Sequence, residues 1–391
     1  MPTPRPLRLL TLGHSYTVTV NRRLAHEMAR AGSGRWEVTV AAPSHFIGND
    51  LRPVRFAPEP DATAEVVPVS AYLTRRVHLF CYGRQLHRLL RQPWDVIHCW
   101  EEPYILAGGQ IALWASHRAA LVYRTAQSLN KTYPPPFEWV EQFALGRAAG
   151  WICSGSLVER NLSARAGYET PHARIPLGVD TDAFRPNAVR GAELLRTLGW
   201  DAAGPPVVGY LGRFVPAKGI GLLTRALDAV PGDWRALLVG AGPLERQVRE
   251  WAARRPDRVR VCTDVTHEQV PAYLNAMSVL CAPSQTTPTW KEQFGRMLVE
   301  AFAAGVPVIG SDSGEIPLVI GDTGVVVGER DEAGWTRAIA ELLHDPARRA
   351  EYARAGLARA RDEFSWPVVA RQHLTFFERL LDTPKASRQV A

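Results

Sequence analysis

Two glutamates in the second half of the chain have a spacing that suits a sugar or phosphate ligand. Glu292 and Glu300 are separated by seven residues, and the sequence between them changes from a polar loop to a helix predicted to begin near Phe294 or Gly295 and to end at Gly305. Backbone N–H groups at a helix N-terminus bind phosphate or hydroxyl oxygens, and carboxylates accept hydrogen bonds from hydroxyl pairs. The alternative is that Glu292 only complements the helix dipole and Glu300 is a solvated residue of the helix.

Two cations lie on a loop that follows an apolar run earlier in the same half. Gly212 ends that run, Arg213 comes next, and Lys218 follows before another glycine. Ligands of doubly wound sheets bind at the carboxyl ends of the parallel strands, and Arg and Lys both neutralise phosphate. We therefore expect the two cations to hold a diphosphate, the alternative being that they are solvated. Gly240 and Gly242 form a third glycine turn that we expect to pass close to the same ligand.

Apolar strands alternate with helical patterns along the whole chain, which predicts parallel sheets covered by helices on both faces. The first half opens as a βαβ unit with Gly13 at its first turn and a helix over Asn21 to Arg30. Its predicted strands are Leu9 to Leu12, Trp36 to Ala42, Ala64 to Val69, Val96 to Cys99, Ala120 to Tyr123, Trp151 to Ser154 and Ala173 to Ile175. Those of the second half are Val207 to Leu211, Ala236 to Val239, Val259 to Cys262, Val279 to Ala282, Val306 to Ile309 and Gly324 to Val327.

These elements predict two tandem Rossmann-like doubly wound domains, over residues 1–178 and 179–365. Residues 366–391 are expected to form a helix that packs back towards the N-terminal domain, followed by a loose tail from Thr383. The length of 391 residues, 46% of them hydrophobic, agrees with two domains. The sequence has no apolar run of 18 residues, and the first apolar run is too short for a signal peptide, so we expect a cytoplasmic protein. Five singly scattered cysteines favour reduced thiols and argue against a zinc site.

The net positive charge of the chain lies entirely in its first half. Residues 1–178 hold 20 Lys and Arg against 13 Asp and Glu, whereas residues 179–391 hold 26 of each. Residues 75–92 carry five arginines among apolar residues, which suggests a basic amphipathic helix that contacts an anionic membrane. The alternative is an ordinary helix with one core face and one solvated basic face.

Several segments together resemble glycosyltransferase family 4, a group of retaining enzymes with the GT-B fold. They read GRFVPAKG, LLVGAGP, AYLNAMSVLCAPS and EQFGRMLVEAFAAGVPVIGSDSGEIPLVI, and the two glutamates fit the family's E-x7-E motif. Residues 175–186, IPLGVDTDAFRP, resemble the interdomain segment of that family. The resemblance implies a donor cleft between two Rossmann-like domains and transfer of a hexosyl-type sugar to an acceptor hydroxyl. It also implies a UDP-, GDP- or ADP-sugar donor, no other cofactor, and no metal.

The resemblance also implies individual roles in the second half of the chain. Arg213 and Lys218 would hold the donor diphosphate and stabilise the leaving group. Glu292 would contact the transferred sugar together with the Phe294 and Gly295 backbone. Glu300 would bind the ribose, and Gly212, Gly240 and Gly242 would line the donor site.

Fewer residues of the first half receive a role from the resemblance. Gly13 would lie near the diphosphate across the cleft, and His98 matches a family segment with a histidine after a strand. The family histidine after the next strand is absent, because the sequence there reads LVYRTAQSLNK. Gln127 is the residue that we expect on the acceptor side in its place. Asp180-Thr181-Asp182 reads as a D-x-D metal motif, but it lies in the interdomain segment and we do not interpret it as a metal site.

Three other functions remain as alternatives to glycosyl transfer. A nucleotide-sugar epimerase of the same fold would bind a similar donor, although the E-x7-E element with Arg213 and Lys218 favours transfer. A nicotinamide-dependent oxidoreductase would need a G-x-G-x-x-G turn, which Gly13-His14-Ser15 does not supply. A nucleic-acid-binding protein would need a clustered basic surface with a known module, and the charge here is diffuse. The expected partners are the donor, a glycan, lipid-linked or small-molecule acceptor, and the inner face of an anionic membrane, with no nucleic acid.

Overall fold

The chain divides into two compact units. The computed structural model describes residues 5–47, 53–59 and 62–383. The described residues up to Pro176, joined by a final helix from Trp366, form the first unit, and Leu177–Ser365 form the second. No helix within these described ranges is both long enough and apolar enough to cross a bilayer.

The first unit is built on a parallel sheet. Its strands are β1 (Leu7–Leu12), β2 (Trp36–Pro43), β3 (His45–Phe46), β4 (Val54–Arg55), β5 (Glu65–Val69), β6 (Ala71–Tyr72), β7 (Cys81–Tyr82), β8 (Val96–Cys99), β9 (Ala120–Thr125), β10 (Gly150–Cys153) and β11 (His172–Arg174). Its helices are α1 (Thr19–Ala31), α2 (Arg84–Leu90), α3 (Leu106–Trp114), α4 (Phe137–Arg147) and α5 (Ser156–Ser163). Seven strands of the described chain form the main sheet in the order β11-β10-β9-β8-β1-β2-β5.

The central strands of this sheet are buried on both faces. Every residue of β8, β9 and β10 is buried, and β1 pairs in parallel with both β2 and β8. Strands covered by helices on both faces need continuous apolar sequence, which is why these short runs are detectable in the sequence. The predicted parallel arrangement is confirmed.

The predicted basic helix over residues 75–92 is wrong. Only Arg84–Leu90 is helical, and it follows β7, which pairs with β6 in a small antiparallel hairpin. The Gly83 amide donates to the Ser70 carbonyl, and Phe80 and Tyr82 are buried in the core. Burial of these rings and pairing of the hairpin override the helical pattern of the sequence. The hairpins β3-β4 and β6-β7 have no counterpart among the predicted strands.

The second unit repeats the same architecture. Its elements in chain order are α6 (Ala188–Thr197), β12 (Val207–Leu211), α7 (Ile220–Asp228), β13 (Arg235–Val239), α8 (Glu245–Ala253), β14 (Val259–Cys262), α9 (Val270–Asn275), β15 (Val279–Ala282), α10 (Arg296–Ala303), β16 (Val308–Ser311), α11 (Ile316–Ile320), β17 (Val325–Val327), α12 (Glu332–His344) and α13 (Pro346–Arg359). Within Leu177–Ser365, all of it described, six strands form a parallel sheet in the order β14-β13-β12-β15-β16-β17.

Neighbouring residues of the second sheet face two separate cores. Leu237 packs with Leu298 and Phe302 of α10, whereas Leu238 packs with Leu223 of α7 on the other face. Side chains of a strand alternate between the faces, so a strand between two helical layers is apolar at consecutive positions. The predicted pair of Rossmann-like doubly wound domains is confirmed.

The last helix, α14 (Trp366–Asp382), returns to the first unit. It packs against α1, and its buried residues Val369 and Phe377 share a hydrophobic core with Leu9 of β1. The predicted tail from Thr383 lies outside the described residues, apart from Thr383 itself.

Candidate functional site

A pocket of about 650 Å³ lies in the second unit at the carboxyl ends of its central strands. This volume suits a small-molecule ligand, and this edge of a doubly wound sheet is where ligands bind. The predicted residues that line the pocket are Gly212, Arg213, Lys218, Gly240, Glu292, Phe294, Gly295 and Glu300. Residues up to 88 positions apart in the sequence therefore come together at one site.

The two cations follow β12. Arg213 begins the loop, and Lys218 ends a 3-10 turn over Pro216–Lys218. The next residue, Gly219, has φ of +68°, and a Cβ there would lie 1.7 Å from the Pro283 carbonyl oxygen. Only glycine fits this position, because it allows both the left-handed backbone and the close approach. The turn therefore holds Lys218 against the segment after β15.

Lys218 and Glu292, which the sequence analysis places on different ligand groups, contact each other directly. The Lys218 Nζ atom lies 2.5 Å from Glu292 Oε2, and the Ser284 hydroxyl donates to the same oxygen at 2.8 Å. The Trp290 ring centroid is 4.8 Å from the ammonium. Glu292 is nearly buried, so its charge needs a partner, and Lys218 supplies one. An ammonium has three N–H donors, which allows it to bind a phosphate oxygen as well.

Glu300 lies inside α10 and is buried, not solvated. Its Oε1 atom is 3.0 Å from Nε2 of His267, a pocket residue that the sequence analysis missed. The His267 ring also contacts the Phe184 ring at a centroid distance of 5.4 Å. His267 comes after β14, at the same sheet edge as the other pocket residues. Its place directly after a predicted strand is the feature of the sequence that could have identified it as a pocket residue.

The N-terminus of α10 faces the pocket. Gly295 is the N-cap of this helix, and Gly295, Arg296 and Met297 all line the cavity. The first N–H groups of a helix have no partner inside the helix and carry partial positive charge. Phe294 is buried and packs edge-on against Phe364 at 5.9 Å, so its ring anchors the loop in the core.

The glycine turn after β13 lies against the loop after β12. A Cβ on Gly240 would lie 1.8 Å from the Gly212 carbonyl oxygen, and Gly240 has φ of +148°. Gly240 lines the pocket, but Gly242 does not, since it faces the Phe214 backbone. Gly242 is thus outside the lining of this pocket, and its contact with the donor stays a prediction.

Three predicted residues belong to the first unit, and His98 requires a correction. Gly13 follows β1, where a Cβ would lie 2.6 Å from Cβ of Trp100.

His98 is fully buried in β8, with Nδ1 3.2 Å from the Thr11 hydroxyl and its ring against His373. Burial lowers the pKa of His98 well below its usual value. The side chain has no exposed surface with which to contact a donor.

Gln127 is also corrected, because its amide is already satisfied. Its Nε2 atom donates to Glu102 and to the Tyr168 hydroxyl, each at 3.2 Å, and its Oε1 atom accepts from Arg165 at 2.6 Å. The Tyr133 hydroxyl donates to the same oxygen at 3.1 Å. Gln127 therefore joins a buried polar network and does not present a free amide to an acceptor.

A second cluster near Gly13 was not predicted. The His14 Nδ1 atom lies 2.6 Å from Oε2 of the fully buried Glu101, and Tyr82 donates its hydroxyl to the same carboxylate at 2.5 Å. Burial acts to lower the pKa of His14, but the charge of Glu101 and its hydrogen bond outweigh burial, and the pKa is raised. The cluster places a half-buried imidazole at the carboxyl end of β1.

The D-x-D sequence forms a local turn. The Asp180 Oδ1 atom accepts the backbone N–H groups of Asp182 and Ala183, both at 3.0 Å. Such a carboxylate satisfies the backbone of its own turn.

The fold is shared with solved glycosyltransferase structures. Sucrose-phosphate synthase from Thermosynechococcus elongatus aligns with a TM-score of 0.72 over 96% of this chain and 99% of its own, at 21% identity. Two tandem doubly wound units of this kind define the GT-B fold.

Family models match both halves of the chain. The model described as Glycosyltransferase Family 4 matches residues 17–183, and that described as Glycosyl transferases group 1 matches residues 205–345. The chain belongs to glycosyltransferase family 4.

Bacterial relatives share about a third of their residues with the chain over the matched regions. A GDP-mannose-dependent alpha-(1-6)-phosphatidylinositol monomannoside mannosyltransferase from Mycolicibacterium smegmatis is 34% identical over 49% of this chain and 52% of its own length. A D-inositol 3-phosphate glycosyltransferase from Streptomyces avermitilis is 31% identical over 66% of this chain and 57% of its own length. The chain thus spans about half the length of the curated relatives it matches.

Proposed function

We propose that the chain transfers a hexosyl-type sugar from a nucleoside-diphosphate sugar to an acceptor hydroxyl, with retention of the anomeric configuration and without a metal or other cofactor. The observation that carries the proposal is the pocket of the second unit. It combines two cations, two buried carboxylates and a helix N-terminus around a volume of about 650 Å³. That combination matches a ligand with an anionic diphosphate between two hydroxyl-rich groups.

Each part of the donor has a partner of suitable chemistry in this proposal. Arg213, Lys218 and the N-terminal N–H groups of α10 bind the diphosphate oxygens. Glu300, held by His267, accepts hydrogen bonds from the ribose, and Glu292 accepts them from the transferred sugar. Leu211, Val265 and other apolar residues of the lining provide a surface for the base.

The leaving group is stabilised by protein charge in this mechanism. As the bond between the sugar and the diphosphate breaks, negative charge grows on the phosphate oxygen, and Arg213 and Lys218 neutralise it. By analogy with the loss of one oxyanion donor, removal of either cation should raise the barrier by about 3 kcal/mol. We assign no enzymic nucleophile, and we assign retention to departure and attack on one face of the sugar.

The names of the relatives suggest which donor and acceptor to test first. One relative is named as GDP-mannose-dependent and acts on a phosphatidylinositol mannoside, and another is named for D-inositol 3-phosphate. We propose GDP-mannose as the first donor candidate, with UDP- and ADP-sugars as alternatives. We propose a role in glycolipid, glycan or cell-surface polysaccharide synthesis, at the cytoplasmic face of a membrane.

Thermal unfolding of the full chain with UDP, GDP, ADP and their sugars tests the donor site. We expect one nucleotide to stabilise the protein, by about 2.7 kcal/mol when it is present at about 100 times its Kd. The shift should be lost in Lys218→Ala and Glu300→Ala, measured against the ligand-free midpoint of each variant. EDTA should leave the nucleotide-induced shift of the parent protein unchanged, because the proposed site uses no metal.

Matched controls come from an exposed ion pair on α8. Arg246 and Glu250 lie 3.4 Å apart with exposed side chains, and Arg246→Ala and Glu250→Ala should keep the full shift. Absence of stabilisation by any nucleotide would contradict the proposal. Incubation with the donor alone separates transfer from epimerisation, since only an epimerase changes the sugar without an acceptor.

A further inference from the structure

Lysine is rare in this chain, which uses arginine for nearly all of its positive charge. Four of the 46 Lys and Arg residues are lysines, namely Lys131, Lys218, Lys291 and Lys385. A lysine ammonium is a compact charge with three N–H donors on a flexible four-carbon stem, whereas a guanidinium is a rigid planar fork. A ligand gains most from a flexible cation that the protein already holds in place. The contacts that hold Lys218 therefore bear directly on the proposed diphosphate site.

Two side chains hold the Lys218 ammonium. Its Nζ atom lies 2.5 Å from Glu292 Oε2 and 4.8 Å from the centroid of the Trp290 ring. The Lys218 side chain is only 15% exposed, so little water competes with these contacts. The face of an indole ring attracts a cation, and the attraction grows as water is excluded. Glu292 accepts one N–H and the ring covers another side of the ammonium, which leaves a donor for a ligand.

A short turn places Trp290 over the ammonium. The Thr287 amide donates to the Trp290 carbonyl at 2.8 Å, and the Trp290 amide donates to the Thr287 carbonyl at 3.4 Å. These bonds close a turn of four residues with Pro288 at its second position, where proline is favoured. The backbone of Trp290 is therefore fixed, and its ring is outside the lining of the pocket.

The loop that carries Trp290 is bonded to the turn that carries Lys218. The Gln285 amide donates to the Ala217 carbonyl at 2.8 Å, one residue before Lys218. The Thr286 hydroxyl lies 3.0 Å from the Ser313 hydroxyl, which joins the same loop to the segment after β16. The contact between ring and ammonium is thus built into the folded unit before any ligand binds.

We propose that Trp290 is a positioning residue, which holds the Lys218 ammonium in place for the phosphate next to the transferred sugar. This inference rests on the proposed function, in which Glu292 contacts that sugar, so that its partner Lys218 meets the nearest phosphate. Because the ring is outside the pocket lining, Trp290 acts through Lys218 and not on the ligand itself. A ring that only packed the loop would instead affect every ligand of the pocket equally.

Calorimetry of the full chain with nucleotides tests the proposal. Trp290→Leu keeps an apolar side chain but no ring, and it should weaken binding of the stabilising nucleoside diphosphate about tenfold. Binding of the corresponding nucleoside monophosphate, which lacks the phosphate next to the sugar, should stay unchanged. Trp290→Phe, which keeps a ring face, should recover most of the loss. Trp139→Leu, at an exposed tryptophan of the first unit, should bind both nucleotides as the parent does.

NMR of the ligand-free protein measures the contact itself. With isotope-labelled lysine the four lysines give a simple spectrum, in which Lys218→Arg identifies the Lys218 signal. The ring current of Trp290 should shift the Lys218 Hε protons upfield, and Trp290→Leu should remove this shift while the Lys131 signal stays in place. Circular dichroism checks that every variant is folded.

Three results would overturn the proposal. They are equal diphosphate affinities of Trp290→Leu and the parent, equal losses for the diphosphate and the monophosphate, and a Lys218 signal that does not move in Trp290→Leu. If the parent bound no nucleotide, the proposed function would fail, and the NMR signal would still decide whether Trp290 holds Lys218. Either proposal can therefore fail alone.

Discussion

The contact between His267 and Glu300 shows how one side chain sets the direction of another. Glu300 is nearly buried, and His267 lies 3.0 Å from its Oε1 atom on the pocket wall. A carboxylate held in this way keeps its second oxygen in a defined direction, which favours recognition of a ribose. His267 is therefore a positioning residue in the proposed function.

We expect His267→Ala to weaken nucleoside-diphosphate binding by about tenfold, because a hydrogen bond to a charged group contributes about 1.5 kcal/mol. Isothermal titration calorimetry with the nucleotide that stabilises the parent protein measures this effect. His267→Gln, which keeps a donor, should recover part of the affinity. His344→Ala, a change at an exposed histidine of the second unit, should have no effect. An affinity for His267→Ala equal to that of the parent would show that Glu300 does not depend on this contact.

The loops after β12 and β13 approach each other at two glycines, and that approach shapes the pocket. Gly240 has a φ of +148°, and a Cβ on this residue would lie only 1.8 Å from the Gly212 carbonyl oxygen. A side chain at this point would separate the ends of the two strands. The cations of one loop would then move relative to the wall formed by the other.

We expect Gly240→Ala to destabilise the protein by at least about 1–3 kcal/mol, from the backbone conformation alone, and to weaken nucleotide binding. Urea denaturation and calorimetry measure the two effects. Gly221→Ala is the matched control. A Cβ on Gly221 would meet only the Arg225 side chain at 3.7 Å, so alanine there should stabilise α7 by up to about 1 kcal/mol. Similar stabilities of the two variants would rule out a tight approach at Gly240.

Helix α14 completes the first unit. Helix α14 packs against α1, and His373 on it is fully buried beside His98 of β8. The Arg124 guanidinium lies 3.4 Å from His373 Nε2. Burial, with a smaller effect of Arg124, lowers the pKa of His373 to about 3. Folding of this unit therefore buries His373 in its neutral form. In the unfolded chain, the same histidine would be protonated when the pH is below the usual pKa of histidine.

This burial makes the stability depend on pH with a defined sign. A lowered pKa means that the unfolded state binds more protons, so stability is complete above about pH 6.5 and falls as the pH decreases towards 3. Between pH 7 and pH 5 we expect a loss of about 2 kcal/mol from His373. Urea denaturation at both pH values should show a smaller loss for His373→Gln than for the parent. His45→Gln, at an exposed histidine, should behave as the parent. An equal loss in His373→Gln and the parent would contradict this assignment.

Local sequence patterns were sufficient for the architecture. Strands buried on both faces, such as β12, β13 and β15, are mostly apolar runs, and the loops after β12 and β15 carry Arg213, Lys218 and Glu292. Since the carboxyl ends of parallel strands lie at one edge, the order of the strands already predicts that these loops meet.

Contacts between distant segments could not be predicted in this way. The bond between Lys218 and Glu292, the position of His267 beside Glu300, and the burial of His98 and Gln127 depend on how separate loops and helices pack. A side chain's exposure and its partners are set by neighbours that come from other parts of the chain. The same reason explains the error over residues 75–92, where pairing of β6 with β7 and burial of aromatic rings override the helical pattern. The sequence alone was enough for the family, the two parallel sheets and eight of the nineteen residues that line the pocket, whereas packing decided which of the named side chains reach the pocket.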